Sequence, residues 1–122
     1  MGFTRTVDRE TLDSTTYLVQ RLLDRDSGAT TCRVSVVKFP PGAGSPDRLH
    51  VHKGDQLIYV LNGTVTAEIA GETYDAEAGT LVVIPAGEPH WTTNRGTEPS
   101  LHLSIMSPLP EIGAPSAVPV RP

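Results

Sequence analysis

Apolar and polar residues alternate along most of the chain in short runs. A period of two places every second side chain on the same face, which is typical of β-strands. Only residues 8–13 favour a helix, and those are long enough for a single turn. Short strands that recur with turn signals between them predict an all-β sandwich or barrel. The predicted strands are residues 17–23, 33–39, 56–61, 64–70, 73–75, 80–84 and 101–106.

Glycine, proline and asparagine mark the predicted turns. Residues 26–28 and 40–46 form two of them, because they are rich in the residues that turns favour. Asn62-Gly63 predicts a tight hairpin between the strands on either side of it. Gly79 is expected to adopt a positive φ, and Gly87 to tighten a proline-flanked turn.

Size, charge and cysteine content narrow the function classes. The chain has 122 residues and a net charge of −4, with both signs scattered. Without a lysine or arginine cluster, nucleic acid and anionic membranes are poor candidate partners. Cys32 is the only cysteine, which excludes an internal disulfide and a four-thiolate zinc site. No secretory signal or membrane-spanning run is evident, so a cytoplasmic location is expected.

The chain is expected to form one β-domain over residues 1–106, followed by a proline-rich tail. Residues 107–122 contain five of the eleven prolines and few large apolar groups. Such a segment cannot pack a core of its own. We therefore predict that the tail is disordered or packs on a partner subunit.

The candidate chemistry lies in the histidines. His50 and His52 are two apart, so in an extended strand both project from the same face. Gln56 follows a short Lys-Gly-Asp link, and His90 follows the turn at residues 85–89. Three imidazoles and an amide oxygen could converge on one divalent transition metal, namely Mn, Fe, Zn, Ni or Cu. Asp55 is an alternative oxygen ligand, and a single histidine is more often a surface or hydrogen-bonded residue.

These three histidines belong to two spaced motifs. The first is Gly44-x5-His50-x-His52-x3-Gln56-x6-Gly63, and the second is Gly79-x5-Pro85-x-Gly87-x2-His90-x3-Asn94. These resemble the two motifs of the cupin family, with glutamine where cupins usually have glutamate. The resemblance implies a jelly-roll β-barrel (a double-stranded β-helix), usually dimeric, with a metal inside the barrel. By position, the implied ligands are His50, His52, Gln56 and His90.

The glutamine favours one type of chemistry. A neutral amide leaves the full charge on the metal, which strengthens it as a Lewis acid. A cupin with three histidine ligands and one glutamine ligand is similar to manganese-type hydroxynitrile lyases, uronate-linearising enzymes and some biosynthetic isomerases. We expect a metal-dependent lyase, isomerase or cyclase acting on a small organic molecule. The alternatives are an iron(II) dioxygenase and a non-catalytic small-molecule-binding cupin.

His102 is the candidate catalytic residue. It lies twelve residues after the last implied ligand, as a histidine does in the hydroxynitrile lyases that this chain resembles. It is expected to act as a general acid or base. A fifth ligand, as in some cupin polyketide cyclases, and a structural hydrogen bond are the alternatives.

The last predicted strand also suggests a partner. If His102 faces the interior, the apolar row Leu101, Leu103 and Ile105 lies outside the barrel wall. An exposed apolar row indicates a packed subunit, and we expect a homodimer. Arg48 and Lys53 flank the mouth, where they could hold an anionic substrate or remain solvated. Tyr59 and Tyr74 are expected at the strand surface or at an interface, and Trp91 in packing.

Overall fold

The computed structural model describes residues 2–13, 16–45, 49–109 and 118–119. These contain one helical turn, α1 (Arg9–Leu12), and a 3-10 helix at Arg25–Ser27. The remaining elements are the strands β1 (Leu18–Leu23), β2 (Arg33–Phe39), β3 (His50–Val51), β4 (Asp55–Asn62), β5 (Thr64–Ile69), β6 (Glu72–Glu77), β7 (Leu81–Ile84), β8 (His90–Thr93), β9 (Ser100–Ser107) and β10 (Val118–Pro119).

The strands form two antiparallel sheets of five strands each. The first has the order β1-β2-β9-β4-β7, and the second β10-β3-β8-β5-β6. The all-β prediction is therefore confirmed, and so is the single helical turn, which Asp8 caps by accepting a hydrogen bond from the Thr11 N–H. No helix in the described ranges is long and apolar enough to cross a membrane.

The hairpin predicted at Asn62-Gly63 is wrong. β4 and β5 adjoin in sequence but lie in different sheets, because β9 and β7 already occupy both edges of β4. Gly63 adopts a φ of 71°, and a Cβ there would lie 2.6 Å from the Pro99 carbonyl oxygen. The Asn-Gly pair thus carries the chain from one sheet to the other. The chain does turn at Asn62-Gly63, but which strands pair there depends on strands distant in sequence.

The interior between the sheets has two parts. At one end, β4 and β7 pack on β5 and β6 through a cluster of buried apolar side chains: Ile58, Val60, Val65, Ala67, Ala76, Val82 and Ile84. At the other end, β2 and β9 face β3 and β8, and the buried side chains are largely polar. They include all four histidines. The inner face of β9 accounts for this polarity, since Ser100, His102 and Ser104 all point inward.

The chain's last residues are described only in part. β9 ends at Ser107, one residue beyond the predicted domain boundary, and Val118–Pro119 pairs with β3 of the same chain. Residues 110–117 and 120–122 of the predicted tail lie outside the described residues. The division into domain and tail stays a prediction.

Candidate metal centre

Three histidines are brought together by two short strands and one turn. His50 on β3 lies directly opposite His90 on β8 in antiparallel register, and His52 follows β3. The Gly87 N–H donates a hydrogen bond to the His52 carbonyl at 2.9 Å. This bond holds the turn before His90 against His52. Gly87 has a φ of 80°, a conformation that favours glycine.

The three imidazoles surround one point. All three side chains are buried, and their ring centroids are 4.3 to 4.9 Å apart. One ring nitrogen from each of His50, His52 and His90 lies within 4.8 Å of the others. Imidazole nitrogens gathered in this way can hold a divalent transition metal.

Gln56 lies against this cluster and is held by a hydrogen bond to Ser104. Its side-chain oxygen Oε1 lies 3.1 Å from His90 Nε2, and its Nε2 donates to the Ser104 hydroxyl at 2.9 Å. On the far side of the ring, His90 Nδ1 lies 2.9 Å from the Glu88 carbonyl, to which it can only donate. Ser104 and Glu88 therefore fix the positions of two candidate ligands.

These contacts fit a cation. A neutral imidazole has one N–H, so the bond from Nδ1 to Glu88 leaves a lone pair on His90 Nε2. That lone pair faces the Gln56 oxygen, and two acceptors at this distance repel each other unless a positive charge lies beside both. Two ligand atoms at right angles on one ion, each about 2.1 Å from it, are about 3 Å apart. The observed separation matches that spacing.

A proton is a poor substitute for this ion at neutral pH. The pKa of His90 is lowered to about 4, mainly by burial; the hydrogen bond to the Glu88 carbonyl opposes this shift, and the neighbouring His50 and His52 add to it. His90 is therefore neutral near pH 7. A neutral imidazole is the form that ligates metals.

His102 is buried near this cluster but does not belong to it. It is 2% exposed on the inner face of β9, and its ring meets Phe39 edge-on at 5.1 Å. Among the described residues its Nδ1 has no hydrogen-bond partner. Burial lowers the pKa of His102 to about 4, so its ring is neutral near pH 7.

One cavity of about 180 Å³ connects His102 with three of the candidate ligands, His50, His52 and Gln56. Its described lining contains no aspartate, glutamate, lysine or arginine. The lining consists of Tyr17, Val37, Phe39, Ser45, His50, His52, Gln56, Thr92, His102, Ser104 and Met106. Tyr17 stacks on Phe39 with ring centroids 5.7 Å apart, so one wall of the cavity is aromatic.

Other residues singled out from the sequence lie apart from this cavity. Asp55 is exposed and accepts a hydrogen bond from the Ala86 N–H, so it is not in the histidine cluster. Lys53 is exposed and does not line the cavity. Trp91 is half-buried, and Arg48 lies outside the described residues. Metal ligation by His50, His52, Gln56 and His90 stays a prediction, with a geometry that fits it.

Sequence reasoning missed the residues around the ligands. Tyr17 and Phe39 come from strands far from both motifs, so no local spacing connects them with the histidines. Ser104 carries a weak signal, because it shares the inward phase of His102 on β9.

Comparison with known proteins now establishes the family. Residues 35–106 match the cupin domain family, and this range is more than half of the chain. This chain belongs to the cupin family. The predicted jelly-roll fold is thereby confirmed, together with the resemblance on which it was based.

Relatives of this cupin include proteins of polyketide biosynthesis. It is 26% identical over 96 residues to the tetracenomycin polyketide synthase protein TcmJ of Streptomyces glaucescens, covering 76% of this chain and 64% of TcmJ. It is 28% identical over 89 residues to the polyketide synthase CurC of Streptomyces cyaneus, covering 70% of this chain and 57% of CurC. The chain thus spans less than two thirds of the length of either relative.

A solved structure of a polyketide cyclase is also similar to this chain. The polyketide cyclase RemF from Streptomyces resistomycificus superposes with a TM-score of 0.64 at 25% identity, over 73% of this chain and 63% of RemF. This cupin therefore has polyketide cyclase-like relatives and a histidine cluster that can hold a metal.

Proposed function

We propose that this cupin is a metal-dependent enzyme of the cyclase, isomerase or lyase type, acting on a small carbonyl or hydroxyl compound. The observation that carries the proposal is the shared cavity. Three imidazoles and the Gln56 amide oxygen converge beside it, and the buried, neutral His102 lines it. A divalent ion in that cluster would polarise a substrate oxygen as a Lewis acid.

The chain's own residues would divide the work. Ser104 holds the carboxamide of Gln56 in place, and the Glu88 carbonyl holds the ring of His90. His102 would act first as a base, because its neutral imidazole lines the cavity and can take a proton. The buried imidazolium formed in this way would readily return its proton to another carbon or oxygen of the substrate.

The cavity supports a substrate, or the reacting end of one, that is small and uncharged. A cavity of about 150 Å³ holds one benzene ring, and this one is about 180 Å³. The aromatic wall formed by Tyr17 and Phe39 favours a planar group. The polyketide relatives support the same chemistry, since β-carbonyl chains cyclise by losing a proton beside a carbonyl.

Exchange of α-hydrogens tests this proposal without the native substrate. A small aryl ketone in D₂O would be followed by proton NMR with protein loaded in turn with Mn, Zn, Ni or Fe(II) under anaerobic conditions. We expect exchange that requires both metal and His102, so that His102→Gln keeps its metal but loses the activity. Exchange that persists in His102→Gln would contradict the proton-transfer role. Loss of metal in His102→Gln would make this residue a ligand instead.

A matched variant tests the role assigned to the glutamine. Gln56→Glu places a carboxylate in the site, so it should bind the divalent ion more tightly and polarise the substrate less. We expect higher metal affinity and slower exchange. Faster exchange in Gln56→Glu would contradict the Lewis-acid role. Oxygen uptake that depends on iron(II) and substrate would instead identify a dioxygenase.

A further inference from the structure

Tyr17 is the part of the cavity wall that also meets solvent. It lines the cavity of about 180 Å³ and is nevertheless 40% exposed. Every other residue of the described lining is buried or half-buried. A side chain that faces a cavity on one side and solvent on the other marks the boundary between them. Tyr17 therefore lies at the mouth of the cavity.

The fold places Tyr17 at the margin of the first sheet. It directly precedes β1, which is the edge strand of that sheet. Leu18 lies opposite Lys38 in the register of β1 and β2, so the preceding residue comes beside Phe39. The rings of Tyr17 and Phe39 stack with their centroids 5.7 Å apart and their planes 17° from parallel. Tyr17 is thus the outer layer of a two-ring wall.

Phe39 is the inner layer and reaches the proposed base. It is 2% exposed, and its ring meets that of His102 edge-on with the centroids 5.1 Å apart. Three rings therefore follow one another from the mouth of the cavity to His102. Phe39 is enclosed between its two neighbours and cannot move aside without disturbing His102, whereas Tyr17 has solvent on its outer side.

The size of the cavity gives the Tyr17 ring a consequence for binding. A cavity of about 150 Å³ holds one benzene ring, so a cavity of about 180 Å³ is nearly filled by a single ring. A second fused ring needs additional space. The inner walls cannot provide it, because Val37 and Phe39 on β2 and His102 and Ser104 on β9 are buried in the middle of the first sheet.

We propose that Tyr17 determines which size of substrate this cupin accepts. With its ring in place, the cavity admits a reacting group of one aromatic ring and rejects two fused rings. Without the ring, the mouth gains the space that a second ring needs. The inference rests on the proposed function for the choice of an aryl ketone, but it concerns binding and is measured without turnover.

Binding of two ketones tests this role. Acetophenone has one ring and acetonaphthone has two fused rings, and NMR titration of the protein gives both dissociation constants. We expect the wild type to bind acetophenone at least about 10-fold more tightly, because forcing extra atoms into a filled space weakens binding by about that factor. Tyr17→Ala should bind acetonaphthone about 10-fold more tightly than the wild type does, and acetophenone more weakly, because it loses an aromatic contact.

Two variants are the controls. Tyr17→Phe keeps the ring and should keep the preference of the wild type. Tyr74→Ala also removes a half-exposed tyrosine, since Tyr74 is 47% exposed, but Tyr74 lies on β6 in the second sheet and does not line this cavity. It should bind both ketones as the wild type does. Circular dichroism of each variant checks that the fold is retained.

The titrations are made with zinc-loaded and with metal-free protein. The preference should be the same in both, because Tyr17 is not a candidate ligand. If α-hydrogen exchange fails but Tyr17→Ala changes the preference as expected, the proposed function is wrong and the role of Tyr17 stands.

Four results would overturn the role of Tyr17. Equal affinity of the wild type for the two ketones would show that the cavity sets no such limit. A Tyr17→Ala variant with the preference of the wild type would place the limit at another residue. Equal loss of the preference in Tyr74→Ala would show that the effect is not local to the mouth. No binding of either ketone to any of these proteins would show that the cavity does not take an aryl group.

Discussion

The two ends of the space between the sheets contrast in what they bury. Between β4, β7 and β5, β6 the interior is an apolar cluster with Ile58, Val60 and Val65 fully buried. Between β2, β9 and β3, β8 it holds four histidines and a cavity. Burial at the first end stabilises the fold, whereas burial at the second lowers the pKa of His90 and of His102 and so favours their neutral imidazoles. Unpaired buried polar groups cost free energy. The apolar burial at the packed end offsets that cost at the polar end.

The largest expected effect is at the packed end. Ile58→Ala should lower the free energy of unfolding by about 2–5 kcal/mol, since it leaves a cavity where a fully buried side chain packs. Urea unfolding of the metal-free protein measures this. Ile58→Val, as the control, should cost about 0.5–1.5 kcal/mol. A loss below 1 kcal/mol for Ile58→Ala would mean that this cluster does not carry the stability.

The buried histidine His102 at the polar end should make the stability of the folded chain depend on pH. The pKa of His102 is about 4 in the folded chain and near 6.5 when unfolded, so the unfolded chain binds more protons between these values. Stability should therefore be full above pH 6.5 and fall as the pH drops toward 4, by up to about 3 kcal/mol from His102. Unfolding of metal-free protein across this range measures the loss.

His102→Gln is the control for that measurement. The variant has no titrating group at this position, so its stability should fall less over the same range. Parallel curves for wild type and variant would contradict the assignment, because the remaining titrating groups, including His90, are common to both proteins.

A smaller effect is expected at Ser104. Ser104→Ala should weaken metal binding by about 10–100-fold, because residues that orient a ligand typically contribute that much. Its hydroxyl accepts the Gln56 amide hydrogen bond. Competition with a chelator gives the affinity, and Ser104→Thr should restore most of it. Unchanged affinity in Ser104→Ala would show that Gln56 needs no support or is not a ligand.

The smallest effect is expected at Asp55, the alternative oxygen ligand. Asp55→Ala should leave metal affinity within about twofold and lower the stability by about 1 kcal/mol, since it removes only the hydrogen bond to the Ala86 N–H. Loss of metal in this variant would show that Asp55, and not Gln56, is the oxygen ligand.

The sequence predicted what depends on local spacing. Alternation located β1, β2 and β9, and the two motifs placed His50, His52, Gln56 and His90 on segments that the fold brings together. What it missed depends on contacts between distant strands. The change of sheet after Asn62 requires knowing that β9 lies between β2 and β4. The wall formed by Tyr17 and Phe39 requires knowing that β2 faces β3.

The most direct test is a crystal structure of the metal-loaded protein with anomalous scattering measured at the metal's absorption edge. The account predicts one ion per chain, about 2.0–2.3 Å from one nitrogen each of His50, His52 and His90 and from the Gln56 side-chain oxygen. An ion at another place would contradict it. So would a Gln56 amide turned over so that its nitrogen donates to His90.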